Sequence, residues 1–367
     1  MTVPRVLVFV EDPGAANGVL GLAKALAARD VDARVVAAEP ALGFMERSGG
    51  EALLPVAAGE SAASLIDRHS PSVILVGTSE NPRSLGLALV DAAKARGVPC
   101  AGFVDALPNA AFRFRGTSAD PLAHCPDVLL VPDTFTRDAF VALGVPEPRV
   151  RVTGHPHYDA VLDLRARLEQ EGRASVRRRA LPGARADALV VTFVSEISTG
   201  FDPAQFARSA EYSLHGRGER DGRTEIVLEE LIDAVRKVCP AAHLVLRLHP
   251  KNTREELGGL VDEVDETSAG GSALDVVFAS DLVAGMTSTL LLEANLLGRP
   301  TLSIVPAARE KEWLPTIRAG ITPCATTRDD LERELAAWCA APAAEAQAFA
   351  TSGALVRVVD ALISICA

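Results

Sequence analysis

The sequence predicts an α/β protein of two Rossmann-sized domains, and three observations carry that expectation. Short, unbroken apolar runs recur along the chain, as in strands buried on both faces of a sheet. Helical stretches separate these runs, the alternation of a parallel sheet covered on both sides. At 367 residues the chain exceeds one ordinary hydrophobic core and suits two domains of this size.

Residues 6–10 are the first apolar run, and Glu11-Asp12-Pro13-Gly14-Ala15-Ala16-Asn17-Gly18 ends it ahead of a helix expected over 19–29. Residues 31–37 form the next strand, and 73–76, 100–104 and 128–131 repeat the pattern, with a helix over 85–96 among them. Gly154 and Pro156 punctuate the close of the first domain, 1–155. The segment 156–185, Arg-rich and ending in Gly and Pro, reads as a linker. The second domain, 186–341, restarts at 189–193 and repeats the pattern at 244–248, at 276–278 with 282–283, and at 301–305. Residues 199–223 are polar and aperiodic and read as an insertion or cleft-side loop. In the last segment, 342–367, an Ala-rich helix is expected over 343–365, able to pack back on the first domain.

Composition narrows the function. Hydrophobic residues are 48% of the chain, enough to fill both cores without a metal or disulfide framework. Aromatics are only 4%, which argues against stacking platforms for single-stranded nucleic acid. The net charge is −11 with no opposing Lys/Arg block, so neither nucleic acid nor an anionic membrane is the expected partner. The six cysteines form no CxxC pair and read as thiols of a reducing, cytoplasmic compartment. Met1-Thr2-Val3-Pro4-Arg5 leads straight into a strand, so neither a signal peptide nor a membrane span is expected.

In open parallel sheets, ligands gather beyond the carboxyl ends of the strands, and that rule selects four candidate sites. At the first, Gly14 permits a tight turn, and small residues let an anion or sugar hydroxyl approach a helix start. Glu11, Gly14 and Asn17 are the acceptor-side candidates there, while Asp12 either caps the helix or acts on the ligand. At the second, Asp105 follows a buried strand, placed to orient or deprotonate a hydroxyl or else to cap. At the third, Arg247-Leu248-His249-Pro250-Lys251 sets three cationic groups on alternate positions, one wall of a phosphate pocket. At the fourth, Gly285-Met286-Thr287-Ser288-Thr289 opens a helix with hydroxyls and uncommitted N–H groups, a phosphate cradle. Glu293, one turn on, interrupts an apolar run at the reach of a ribose diol. Glu196, after the first strand of the second domain, is a further base candidate.

Taken together, Val152-Thr153-Gly154-His155-Pro156 with Asp159, Arg247-Leu248-His249-Pro250, and residues 281–300 resemble the GT-B superfamily. The nearest branches are the UDP-N-acetylglucosamine 2-epimerases, the CDP-glycerol glycerophosphotransferases and the bacterial polysialyltransferase-like enzymes. The resemblance implies two Rossmann-like domains facing a central cleft, with a nucleotide diphosphate on the C-terminal one. It implies that His249 helps a phosphate depart, that Thr287, Ser288 and Thr289 hold it, and that Glu293 grips the ribose. Three motifs depart from the epimerases. Glu11-Asp12-Pro13-Gly14 replaces their glycine-threonine-arginine-proline turn, and Phe193-Val194-Ser195-Glu196-Ile197-Ser198 replaces a His-Arg-Arg-Glu-Asn-like run. Ser288-Thr289 stands where they usually carry a double glycine.

The expected function is therefore metal-independent transfer of a sugar-like group from a nucleotide-linked donor to a hydroxyl of a small molecule or glycan. Asp12 or Asp105 would be the base and Arg247, His249 and Lys251 the phosphate partners. The nucleotide sugar is the substrate, and no separate cofactor is required. An epimerase or hydrolase of the same donor, or a non-catalytic nucleotide-sugar-binding protein, are the alternatives.

Overall fold

The computed structural model describes residues 3–49, 52–79, 81–196, 207–342 and 348–366. They form two compact units, residues 1–160 with 351–367 (unit 1) and residues 161–350 (unit 2). Each is built on one parallel sheet with helices interleaved between its strands.

Unit 1 carries β1 (Arg5–Val10), β2 (Asp32–Ala37), β3 (Leu53–Pro55), β4 (Val73–Gly77), β5 (Cys100–Phe103), β6 (Val128–Val131) and β7 (Val150–Val152). Their order is β3-β2-β1-β4-β5-β6-β7. Val6 to Val10 are all fully buried, as the continuous apolar run requires of a strand covered on both faces. Chain direction across the sheet reverses between β1 and β4, where Phe9 pairs with Val76. The loops after these two strands therefore flank the switch point where such sheets bind ligands.

Unit 2 repeats the plan with β8 (Val190–Val194), β9 (His243–Arg247), β10 (Glu266–Ser268), β11 (Leu282–Gly285), β12 (Thr301–Ile304) and β13 (Cys324–Ala325). The order is β10-β9-β8-β11-β12-β13, so the switch point lies between β8 and β11, with Phe193 opposite Ala284.

Several elements differ from the sequence expectation. The helix expected over 19–29 begins earlier, as Pro13–Val19, because Asp12 caps it and Pro13 suits its first turn. Gly21, at φ 79°, breaks the chain before a second helix, Leu22–Ala27. Residues 276–278 are not a strand but lie in the helix Ala273–Ala279, which Ser272 caps. The 156–185 segment, expected as a linker, holds the helices Pro156–Glu171 and Arg173–Ala180. Arg177 anchors the second through Ala279 O (2.8 Å) and Asp281 Oδ2 (2.8 Å). The C-terminal helix is Ala354–Cys366, preceded by Gly353 at φ 95°. Residues 343–347 of the longer helix expected there lie outside the described residues, as do 199–206 of the expected insertion. The rest of that insertion is tied down by bridges from Ala207 to Gly222 and from Tyr212 to Ala307.

All six cysteines are free thiols. Among the described residues no helix is long and apolar enough to cross a membrane, and no cluster of three His, Cys, Asp or Glu is placed to hold a metal.

Candidate functional site

In unit 1 the loops after β1, β4, β5 and β7 bring together a polar group around Asp105. Thr78 Oγ1 donates to Asp105 Oδ1 (2.7 Å), and Arg113 NH1 lies 3.3 Å from the same oxygen. Burial would raise this carboxyl, but Arg113, the Thr78 hydroxyl and His155 outweigh it and hold Asp105 below the usual carboxylate range. Its other oxygen rests on Gly14, where a Cβ would collide with Oδ2.

His155 packs one helical turn away on the same glycine face, its Cε1 3.1 Å from where a Gly18 Cβ would sit. Phe103 meets its ring edge-on, and Tyr158 stacks on it with centroids 5.0 Å apart. The His157 N–H donates to His155 Nδ1 (3.2 Å), which assigns the neutral-ring proton to Nε2. Burial, with His157 adding to it, pushes the ring down to about 4 despite the opposing pull of Asp105.

The other unit 1 candidates lie in or beside the helices that follow the strands. Asp12 Oδ1 accepts from Gly14 N (2.9 Å) as the helix cap. Glu11 is buried, its two oxygens accepting from Asn81 Nδ2 (2.5 Å) and Ser84 Oγ (2.6 Å). Asn17 is half-buried in the helix Pro13–Val19. Asp159 accepts from Gly353 N, Ala354 N and Leu355 N, capping the C-terminal helix.

In unit 2 the switch point is built from the ends of β8 and β11 and the start of the helix Arg223–Val238. Glu196 reaches across from the β8 side, and its Oε1 accepts from Met286 N (3.2 Å), Thr287 N (2.6 Å) and Ser288 N (2.7 Å). Its Oε2 accepts from Thr287 Oγ1 (3.2 Å) and Arg223 NH1 (3.1 Å). Arg223 Nε also donates to Glu310 Oε2 (2.9 Å), so one guanidinium joins two carboxylates, with Arg223 and Glu310 buried and Glu196 half-buried. Burial and Glu196 raise Glu310 against the pull of Arg223.

Neighbouring residues are organised by hydrogen bonds rather than strand alternation. β9 ends at Arg247, so His249 and Lys251 lie in the turn beyond it, and the expected single wall of three cations does not form. Arg247 is buried and turns to Ser268 Oγ (2.9 Å) and Gly271 O (3.3 Å). The His249 N–H donates to Ser195 Oγ (2.8 Å), which donates to Asn252 Oδ1 (3.0 Å). His249 Nδ1 accepts from Lys251 N (3.1 Å), the arrangement seen at His155, and burial again pushes the ring down. Both histidines precede a proline, and both are thereby fixed with Nε2 as the remaining ring nitrogen.

Ser288 caps the helix Thr289–Leu296, its Oγ accepting from Leu290 N (3.2 Å). Gly285 gives room for strand packing, since a Cβ would lie 2.7 Å from Val194 Cγ2. Glu293 is half-buried on that helix. Sequence reasoning missed Arg113, Arg223 and Glu310, and ranked Thr78, at the end of its strand, as less informative than the four sites. A buried Arg or Glu inside a charged stretch reads like any solvated one, and only burial in the fold sets it apart.

No family model matches the chain, and no curated protein matches it. Solved structures do. A UDP-GlcNAc 2-epimerase from Neisseria meningitidis, solved bound to UDP-GlcNAc, is 14% identical with a TM-score of 0.69, over 98% of this chain and 100% of that one. A putative UDP-N-acetylglucosamine 2-epimerase from Listeria monocytogenes is 16% identical with a TM-score of 0.69, over 99% and 97%. The UDP-GlcNAc 2-epimerase of Methanocaldococcus jannaschii, in complex with UDP-GlcNAc and UDP, is 13% identical with a TM-score of 0.66, over 98% and 99%. At such identities the likeness shows the fold, two Rossmann-like domains of GT-B type.

Proposed function

We propose that this chain is an enzyme acting on a nucleotide-linked sugar, and that it converts the donor by itself as an epimerase or hydrolase does. The observation that carries the reading is the unit 2 switch point. Three backbone N–H groups, a hydroxyl and a guanidinium converge there on one anion position. A diphosphate is the ligand chemistry this donor set suits. The end-to-end likeness to solved UDP-GlcNAc 2-epimerases supports the same substrate class.

Epimerisation, hydrolysis and transfer all need a proton acceptor, so the state of the candidate bases does not rank them. The likeness to solved epimerases is what supports donor conversion as the first reading. Transfer remains the second reading on one observation, the fixed His249-Pro250 turn, which resembles the histidine motif of the polymer-forming transferases. UDP-GlcNAc incubated with the enzyme alone and followed by proton NMR separates the two. A new sugar signal without acceptor supports the first reading, and conversion only on adding a hydroxyl acceptor supports the second. A donor that neither binds nor reacts in either arm sinks both.

A further inference from the structure

Glu196 holds the place that the nucleotide-sugar reading gives to a phosphate. Its carboxylate takes the N–H groups of Met286, Thr287 and Ser288, the Thr287 hydroxyl and one arm of Arg223. The receptor is more than a helix end, because Arg223 is 3% exposed and delivers NH1 to Glu196, while NH2, held by Glu310, also reaches Thr287 Oγ1 (3.3 Å). If the carboxylate left, Arg223 would stay bound to Glu310, but NH1 and three N–H groups would lose an anionic partner.

A phosphate cannot share these donors with Glu196. The two anions would meet at contact distance in a partly dry crevice, where like charges repel far more than in water. The backbone around the carboxylate is itself well anchored. Ser195 N donates to Arg247 O (3.0 Å), and Thr224 Oγ1 donates to Glu196 O (2.9 Å). Removal of Glu196 from the cradle is therefore a side-chain movement about a fixed main chain.

We propose that Glu196 is a resident competitor for the phosphate cradle, and that a nucleotide diphosphate binds there only by displacing it. The inference rests on the reading of unit 2 as the phosphate-binding half. It makes Glu196 a specificity-determining residue, since a ligand with fewer than two negative charges gains too little from the cradle to displace a carboxylate already bonded there.

The test is calorimetric titration of wild type, Glu196→Ala and Glu196→Gln with UDP and with inorganic pyrophosphate, each protein first checked for a cooperative thermal melt. Both ligands should bind the Ala variant about tenfold or more tightly than wild type, with the Gln variant in between because it keeps an acceptor but loses the charge. Equal or weaker binding by the folded variants, with wild type still binding UDP, overturns the competitor and leaves the phosphate reading standing. No binding by any of the three overturns both. A wild-type crystal soaked in pyrophosphate needs no variant to fold. Pyrophosphate on the Met286–Ser288 N–H groups with Glu196 turned away supports the proposal, and pyrophosphate bound elsewhere beside an unmoved Glu196 overturns it.

Discussion

Asp105 Oδ2 rests so closely on Gly14 that a Cβ at position 14 would overlap it. Gly14 does not adopt a left-handed backbone, so its requirement here is space rather than turn geometry. With the other oxygen held by Thr78 and Arg113, the carboxylate is braced from both sides.

That bracing gives the first prediction. Gly14→Ala should push Asp105 off Thr78 and Arg113 and lower unfolding free energy by ~1–3 kcal/mol. Turnover of the donor should fall alongside that of Asp105→Asn, because both changes disturb the charged group that Thr78 and Arg113 hold, while UDP affinity stays unchanged. Steady-state kinetics beside calorimetry checks both halves. Wild-type turnover in Gly14→Ala would mean that the position of Asp105 is immaterial to the chemistry.

His155 gives the second, through pH. The unfolded ring takes its proton near 6.5 and the folded one at about 4. Between those values the unfolded chain binds more protons, so stability is full above 6.5 and declines as pH falls through the window. The slope is ~1.4 kcal/mol per pH unit, or roughly 2 kcal/mol lost by pH 5. Asp105, held below 3.8, adds its own loss only at more acid pH. Urea midpoints at pH 7 and pH 5 should therefore converge in His155→Asn relative to wild type. An undiminished pH difference in the variant would locate the acid sensitivity elsewhere.

The Glu196–Arg223–Glu310 triad gives the third. Replacing Arg223 by Met leaves the buried Glu310 carboxylate without its cation, and takes one of several partners from Glu196. It should cost roughly 3–5 kcal/mol, because an unpaired buried charge is worse than no charge. Adding Glu310→Gln should restore part of that loss. Urea unfolding of the single and double variants measures it, and a double variant as unstable as the single would show that charge is not what the triad balances.

Much of this architecture was legible because it follows from local pattern. The run at residues 6–10, the caps at Asp12 and Ser288, and the loops after β1, β5 and β11 all sit in the sequence beside the strands they end. What was hidden depends on partners far apart in the chain. Asp105 meets Thr78 from 27 residues away, and Arg223 meets Glu310 from 87. Residues 276–278 were apolar enough for a strand, but Ser272 caps them into a helix. The alternation assumed for Arg247, His249 and Lys251 needs a strand that runs past Arg247, and Pro250 prevents it.

The last prediction concerns Arg247. It is 5% exposed, yet among the described residues it has no carboxylate partner, only Ser268 Oγ and Gly271 O, and its Nε has no hydrogen bond. Burial accordingly pushes its pKa down with nothing negative nearby to oppose the shift. A cation in this position costs the folded state and gains when an anion arrives. Arg247→Met should therefore leave the melting temperature unchanged or raise it, while weakening UDP by roughly 10- to 150-fold, the loss of one charged hydrogen bond. A packing strut would behave the opposite way, losing stability and sparing the ligand. Glu293→Gln, read beside it, should weaken UDP but hardly change inorganic pyrophosphate, since only UDP presents a ribose diol. Calorimetry with the two ligands, paired with thermal melts, resolves these patterns. Unchanged UDP affinity in both Arg247→Met and Glu293→Gln would move the nucleotide away from this end of unit 2 and take the nucleotide-sugar reading with it.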